Sequence, residues 1–444
     1  MLETAQDDAQ AGAEASRQVE AMIGFVQDPR LRQYLQSLGE KLVRFAPAQP
    51  FEYRFQVVDQ WSPNAFALPG GQIFVSRGLL ALTNSEDELA CVLGHEITHA
   101  AERHAASQQA FSQQLSPFSL ALPRQAIVAK YARDQERAAD TGGQRICSAA
   151  GYDPRALSSF LESLGGIDRL QMGVSRIPTF LDSHPGTPER IATTAAFAAT
   201  LPPPGPRDPV RAREAYLARL EGLLLGADPS EGVILGSRFV HPDLGFSVTF
   251  PEGWRVVVNT ASAVVARSPR RDARFALEPA GPGSDPRAVA EPYLAQRVQE
   301  WRAVLDFQGA EATPCCAAYV VRGSVESTQG VIAGQLAWVV LAGRVYRLSA
   351  AFVPTASEKY AERARQMVQS FRPLTDEERA GIRVNRLHLA RARAGESLAS
   401  FSARTGNVYD AQPTALANGL APGTRLSAGQ LLKIGVQKTY EPQK

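Results

Sequence analysis

Ser85-Glu-Asp-Glu-Leu-Ala-Cys-Val-Leu-Gly94-His95-Glu96-Ile97-Thr98-His99-Ala-Ala-Glu-Arg-His104 decides how the first half of this 444-residue chain is read. Ser85 with Glu88 three residues on has the form of a capping box, which opens a long helix running through His104. Inside it, His95 to His99 is an HExxH sequence. Residues i and i+4 lie about 40° apart around a helix, so His95 and His99 project from one face, where two imidazoles can hold one zinc ion. A catalytic zinc needs a third protein ligand and keeps one position for water. Four of the six histidines of the chain fall between His95 and His184, which speaks against a chance motif.

Tyr131-Ala-Arg-Asp-Gln-Glu136-Arg-Ala-Ala-Asp140 offers the third ligand. It puts two carboxylates four residues apart on one face of another helix, expected over roughly Arg133–Ala149. Glu136 can reach the metal while Asp140 accepts a hydrogen bond from a ligand imidazole and fixes its tautomer. Alone, ExxxD is usually a solvated helix face; beside HExxH the metal reading is favoured. His104 lies about 140° round the helix from His99. It cannot join the same metal from there and reads as structural.

Outward from these motifs the chain divides at proline-rich and glycine-rich breaks. Residues 1–200 read as mostly helical, with strands at Tyr53–Asp59 and Gln72–Ser76. Leu201–Asp208, LPPPGPRD, begins a linker with a short helix over 201–234. Residues 235–375 alternate as strands, interrupted by helices near Pro292–Val304 and Ser357–Ser370. Residues 383–436 form a small last segment, and the whole is expected to be α+β.

Lys and Arg total 47 against 45 Asp and Glu, a net charge of +2, which argues against nucleic acid or an anionic membrane as the main partner. No run of 18 apolar residues suggests a transmembrane segment. Met1–Glu20 has neither a basic start nor an apolar stretch and does not read as a signal peptide, so the chain is either cytoplasmic or a mature form. Four cysteines are too few for a disulfide framework. Cys315 and Cys316, adjacent, are not expected to pair with each other. Cys91 and Cys147 could bridge, but two free buried thiols are the favoured reading.

The first two hundred residues resemble peptidase family M-48, the gluzincins that include CaaX-prenyl, HtpX-type and periplasmic β-barrel assembly-enhancing proteases. The matching pieces are Asn64-Ala-Phe-Ala-Leu-Pro-Gly-Gly, Ile73-Phe-Val-Ser-Arg-Gly-Leu-Leu, GHEITH with Arg103-His104, ARDQERAAD and Ser183-His-Pro-Gly-Thr-Pro-Glu-Arg-Ile191, in family order. The resemblance implies a zincin-type metalloendopeptidase with one Zn²⁺ per chain, held by His95, His99 and Glu136. It makes Glu96 the catalytic base and Asp140 the partner of a ligand imidazole. His184, by the metal, either steadies the transition state or occupies the open coordination position, and Arg190 anchors its loop or stabilises the oxyanion. Asn64 and Arg190 are the substrate or loop candidates. Ala138 and Ala132 depart from the family's usual Glu and Ser, and the stretch between His99 and Glu136 is shorter than in many relatives. The strand at Gly71–Ser76 is expected to bind extended polypeptide as an added strand.

Residues 383–436 resemble a LysM domain in Gly395-Glu-Ser-Leu, Ala417-Asn-Gly-Leu and Leu426-Ser-Ala-Gly-Gln-Leu-Leu-Lys-Ile, which implies peptidoglycan as a partner; a packing module without glycan binding is the alternative. GFSVTFPEGW gives the middle segment a weak resemblance to PsbP or Mog1-like sandwiches. Protein quality control in the bacterial periplasm or cell envelope is the expected role, with the cytoplasm as second choice. The competing readings are a proteolytically weak chaperone or scaffold, and a peptidoglycan-binding protein that retains the zinc fold.

Overall fold

The computed structural model describes residues 5–104, 124–171, 180, 184, 188–260, 263–327, 330–421 and 423–441. It divides into two compact units, Met1–Gly226 with Asn385–Lys438, and Ala227–Val384 with Thr439–Lys444. Among the described residues no helix is long and apolar enough to cross a membrane.

The first unit opens with α1 (Ala5–Met22) and α2 (Pro29–Val43). Asp28 caps α2 by accepting from the Arg30 and Leu31 amides, with Pro29 at the first position. Leu31, Leu35, Leu38 and Leu42, at helical spacing, join the core of the unit. A small sheet follows, β1 (Arg54–Val58), β2 (Ala65–Leu68) and β3 (Gln72–Ser76), in the order β1-β3-β2. β1 is parallel to β3 and β2 antiparallel to it, with Ala67 opposite Ile73. β3 is therefore central, and the binding edge expected at Gly71–Ser76 is already paired on both sides. The outer side of β1 meets the backbone of residues 24–26, Val26 donating to the Val57 carbonyl at 2.9 Å. Among the described residues, β2 keeps the outer edge without a strand partner.

α3 (Arg77–Leu82) leads into α4 (Glu86–Ala101), the helix of the HExxH sequence. Ser85 Oγ accepts from the Glu88 amide at 3.2 Å, but the Glu88 carboxylate reaches back to the Asn84 amide at 2.6 Å, so only half of the expected capping box forms. α5 (Arg124–Ala149) begins earlier than the expected Arg133. α4 and α5 touch at their backbones. A Cβ on Gly94 would lie 2.7 Å from the Gly143 carbonyl oxygen, and one on Gly143 would lie 2.5 Å from the His95 nitrogen. Cys91 and Cys147 form a disulfide across the same helix pair, correcting the expectation of two free thiols. α6 (Ala156–Gln171), α7 (Pro188–Ala198), α8 (Pro209–Ala218) and the short β4 (Leu224–Leu225) complete this part.

The second unit holds two antiparallel sheets. β5 (Val233–Leu235), β6 (Arg238–His241), β7 (Phe246–Thr249) and β15 (Arg372–Pro373) are ordered β15-β7-β6-β5. The larger sheet contains β8 (Arg255–Thr260), β9 (Ala263–Arg267), β10 (Ala273–Pro282), β11 (Val304–Ala312), β12 (Ala317–Ser327), β13 (Gly330–Leu341) and β14 (Arg344–Phe352). Its order is β11-β12-β13-β14-β10-β9-β8. Phe246, Phe275 and Phe371 pack between the sheets with Tyr360, Met367 and Val368 of α10 (Ser357–Ser370). α9 (Pro286–Trp301) covers Tyr319 and Trp338 on the other face. It starts before the expected Pro292 because Asp285 caps it and Pro286 fills its first position. Cys315 and Cys316 are bridged between β11 and β12, contrary to expectation. α11 (Asp376–Gly381) follows behind a Thr375–Glu378 capping box.

The last segment runs β16 (Arg383–Arg391), α12 (Leu398–Thr405), α13 (Ala411–Ala417) and β17 (Leu431–Thr439). β16 lies between β17 and β4, with Asn385 opposite Leu225. Residues 385–438 thus pack into the first unit, so the segment expected as a separate domain at 383–436 is not free-standing.

Candidate metal centre

His95, fully buried, and His99 point from one face of α4, their Nε2 atoms 3.0 Å apart. The glycine contact between α4 and α5 brings Glu136 to them, with Oε1 3.4 Å from His99 Nε2. His184 closes the group: its Nδ1 lies 2.8 Å from Glu136 Oε1 and 3.3 Å from His95 Nε2. One donor atom from each of the four falls within 4.8 Å of the others.

Each imidazole of α4 is oriented from behind. His95 Nδ1 lies 3.0 Å from Asp140 Oδ1. His99 Nδ1 lies 2.8 Å from His104 Nδ1, whose ring is in turn 3.0 Å from Glu102 Oε2. Arg190 donates twice to Asp140, once to the His184 carbonyl at 3.1 Å, and lies 3.0 Å from Glu136 Oε2. Its donors are committed to anchoring. Asn64 is not among the four donors; its backbone pairs with Ser76, and among the described residues its buried Oδ1 meets no hydrogen-bond partner. Residues 183 and 185–187 of the SHPGTPER stretch lie outside the described residues.

Burial pulls the His95 pKa down to about 3, although Asp140 opposes it, so the ring is neutral, as a metal ligand must be. Burial pushes Glu136 and Asp140 up, but hydrogen bonds outweigh it and hold both below the usual carboxylate range. They come from His184 and His99 for Glu136, and from His95 and Arg190 for Asp140. Burial raises Glu96 to about 7, with the Ala67 backbone amide among the groups opposing the rise. Neither Glu96 oxygen meets hydrogen-bond geometry with a partner; His184 Nε2 is 3.7 Å away. Three nitrogens and a carboxylate around one point, beside a second, buried carboxylate, suit a zinc-class cation.

The sequence-derived ligands His95, His99 and Glu136 therefore meet, with Glu96 beside them and Asp140 behind His95. His104 is not among the four donors but touches one of them. Helical spacing turns it away from His99, yet α4 stops at Ala101 and Arg103 takes a left-handed φ of 53°, which swings His104 back onto the ring. Gly142–Gly143, two glycines inside a helical pattern, is the signal in the sequence that another backbone approaches.

The model of Peptidase family M48 matches residues 29–130 and 118–197. A Beta-barrel assembly-enhancing protease of Yersinia pestis is 30% identical over 212 residues, 42% of this chain and 43% of that protein. The Mitochondrial metalloendopeptidase OMA1 of Schizosaccharomyces pombe is 30% identical over 172 residues, 36% of this chain and 50% of that protein. The chain thus spans half or less of the length of these relatives. Among solved structures, a PsbP from Synechocystis covers 34% of this chain and 99% of its own, at 18% identity and a TM-score of 0.27, too low to fix fold or function. Through residues 29–197, this chain is thus similar to peptidase family M48.

Proposed function

We propose that the chain is a zinc-dependent endopeptidase acting on unfolded or misassembled polypeptides in the bacterial cell envelope. The observation that carries this reading is the buried Glu96 carboxylate beside the cluster of His95, His99, Glu136 and His184. A bound zinc ion supplies Lewis acidity, which acidifies water and polarises a peptide carbonyl. His95, His99 and Glu136 would hold it, with His184 as a fourth donor. Glu96, buried beside the donors, accepts the proton of the attacking water and passes it to the leaving amine. Asp140 and His104 fix the two imidazoles, and Arg190 fixes Asp140 and the backbone of His184. An extended substrate adds to the outer edge of β2, whose Ala67 amide faces Glu96.

The names of the matched relatives support the polypeptide substrate. The two disulfides favour an oxidising compartment, hence the periplasm over the cytoplasm. Peptidoglycan is the partner proposed for 383–436, supported by the LysM-like motifs and the strand-helix-helix-strand order; a pull-down with insoluble glycan tests it. The peptidase reading is tested by casein degradation with and without chelator, comparing wild type with Glu96→Gln. Turnover that survives chelator, or survives in the variant, removes it.

A further inference from the structure

Lys433 is 4% exposed, and its ammonium donates to three backbone carbonyls: Ala81 at 2.8 Å, Leu82 at 3.0 Å and Thr83 at 2.8 Å. An ammonium has three donors, so all are used. The acceptors lie at the C-terminal end of α3, where carbonyls have no partner within the helix and the helix dipole favours a cation.

The same turn is the base of α4. The Asn84 amide donates to Glu88 Oε2 and the Asn84 side chain to the Leu82 carbonyl at 3.2 Å, while Ser85 caps α4. Between Ser85 and His95 there is one uninterrupted helix, about 15 Å long. A tilt of roughly 5° at its base displaces the histidines by about 1 Å, a misplacement able to cost about a hundredfold in rate.

Lys433 is itself fixed. Asn418 Oδ1 accepts the Lys433 amide at 2.8 Å, and Asn418 Nδ2 donates to the Lys433 carbonyl at 2.9 Å. Leu416 beside it packs onto Gly166 of α6, where a Cβ would lie 2.7 Å from Leu416 Cδ2. Burial drives both Lys433 and Glu88 towards about 7, each opposing the other's shift. An apolar side chain would avoid that cost but leave the Ala81 and Thr83 carbonyls without their donor and the Leu82 carbonyl with Asn84 alone.

We propose that Lys433 is a positioning residue for the metal centre: from the C-terminal segment it fixes the turn on which the HExxH helix stands, making residues 385–438 a working part of that site whatever else they bind. The effect on turnover rests on the peptidase reading; the effect on metal binding does not. The test uses the full chain with Lys433→Met, Asn418→Ala, and Arg425→Ala as a control on an exposed part of the segment. Zinc affinity by chelator competition, hydrogen exchange over 86–101 in metal-free protein, and kcat and KM are measured well below the melting temperature. Lys433→Met is expected to weaken zinc binding about tenfold, within the range for groups that orient ligands. Exchange in the first turns of α4 quickens, and kcat falls about ten- to a hundredfold with KM nearly constant. Arg425→Ala matches wild type. A folded Lys433→Met with wild-type zinc affinity and exchange overturns the proposal. If that variant does not fold, Asn418→Ala decides by the same readouts, wild-type values again overturning it. A wild type without chelator-sensitive turnover removes the peptidase reading, while affinity and exchange still judge Lys433.

Discussion

Arg190 grips Asp140 in a two-pronged ion pair, Nη2 to Oδ1 and Nε to Oδ2 both at 2.7 Å, and both side chains are buried. Asp140 Oδ1 is also the atom 3.0 Å from His95 Nδ1. One cation on α7 thus fixes the carboxylate that orients a metal-facing imidazole, and holds the His184 backbone as well.

Arg190→Met should therefore do more than lower stability. Leaving Asp140 and Glu136 buried without their cation is expected to cost about 3–5 kcal/mol. Loss of the Asp140 geometry should weaken zinc binding about 10- to 100-fold. Urea unfolding and a zinc competition titration check the two separately. Undiminished zinc affinity in a folded variant would show that Asp140 orients His95 without help.

Glu96→Gln should remove turnover while leaving zinc content and fold intact, because an amide cannot accept the proton of the attacking water. Elemental analysis and a peptide cleavage assay are sufficient. Residual activity above about a hundredth of wild type would assign the proton transfer to another group.

His184→Ala separates two roles by the sign of its effect. With Nδ1 2.8 Å from Glu136 Oε1 and 3.3 Å from His95 Nε2, the ring sits among the donors. On the proposed reading it would fill the open position at the metal that a substrate needs. Basal cleavage should rise in the variant and zinc affinity should fall. A drop in rate of about 10²–10³ with unchanged zinc would instead make His184 an oxyanion donor.

The chemistry of the centre was legible because it is periodic: His95 and His99, and Glu136 and Asp140, each repeat at four residues and declare a shared face. What bends the chain was not. His104 depends on α4 ending before it, and no proline or glycine marks that end. β11, over Val304–Ala312, is a largely exposed edge strand without the alternation of buried and exposed residues that makes a strand legible. The C-terminal segment carried its internal motifs openly. Its attachment through Lys433 was hidden, since lysine at a strand position reads as solvent-facing.

The Cys91–Cys147 bridge spans 56 residues and ties α4 to α5 beside the glycine contact that positions Glu136. Its removal by Cys91→Ser with Cys147→Ser should lower unfolding free energy by up to about 4 kcal/mol, from the chain-entropy of a loop that long. Denaturant melts with and without reductant check it. Reductant should not affect the double variant in this respect, and an equal stability of oxidised wild type and variant would contradict a stabilising bridge.

The second unit should lose stability in mild acid through His241. Its side chain is 6% exposed and burial lowers its pKa to about 4; Nδ1 accepts the Leu244 amide at 3.3 Å, so the folded form holds the neutral ring. The unfolded chain takes up this proton near pH 6.5, the folded one only near pH 4. Between those values the unfolded state binds more protons, so stability falls as pH drops through that window, by up to about 3 kcal/mol, and is unaffected by this group above it. His241→Asn keeps a short acceptor for Leu244 and cannot titrate there. Thermal melts of the two proteins from pH 7.5 to pH 4 should diverge in slope below about pH 6.5. Parallel curves would mean that another group carries the acid sensitivity.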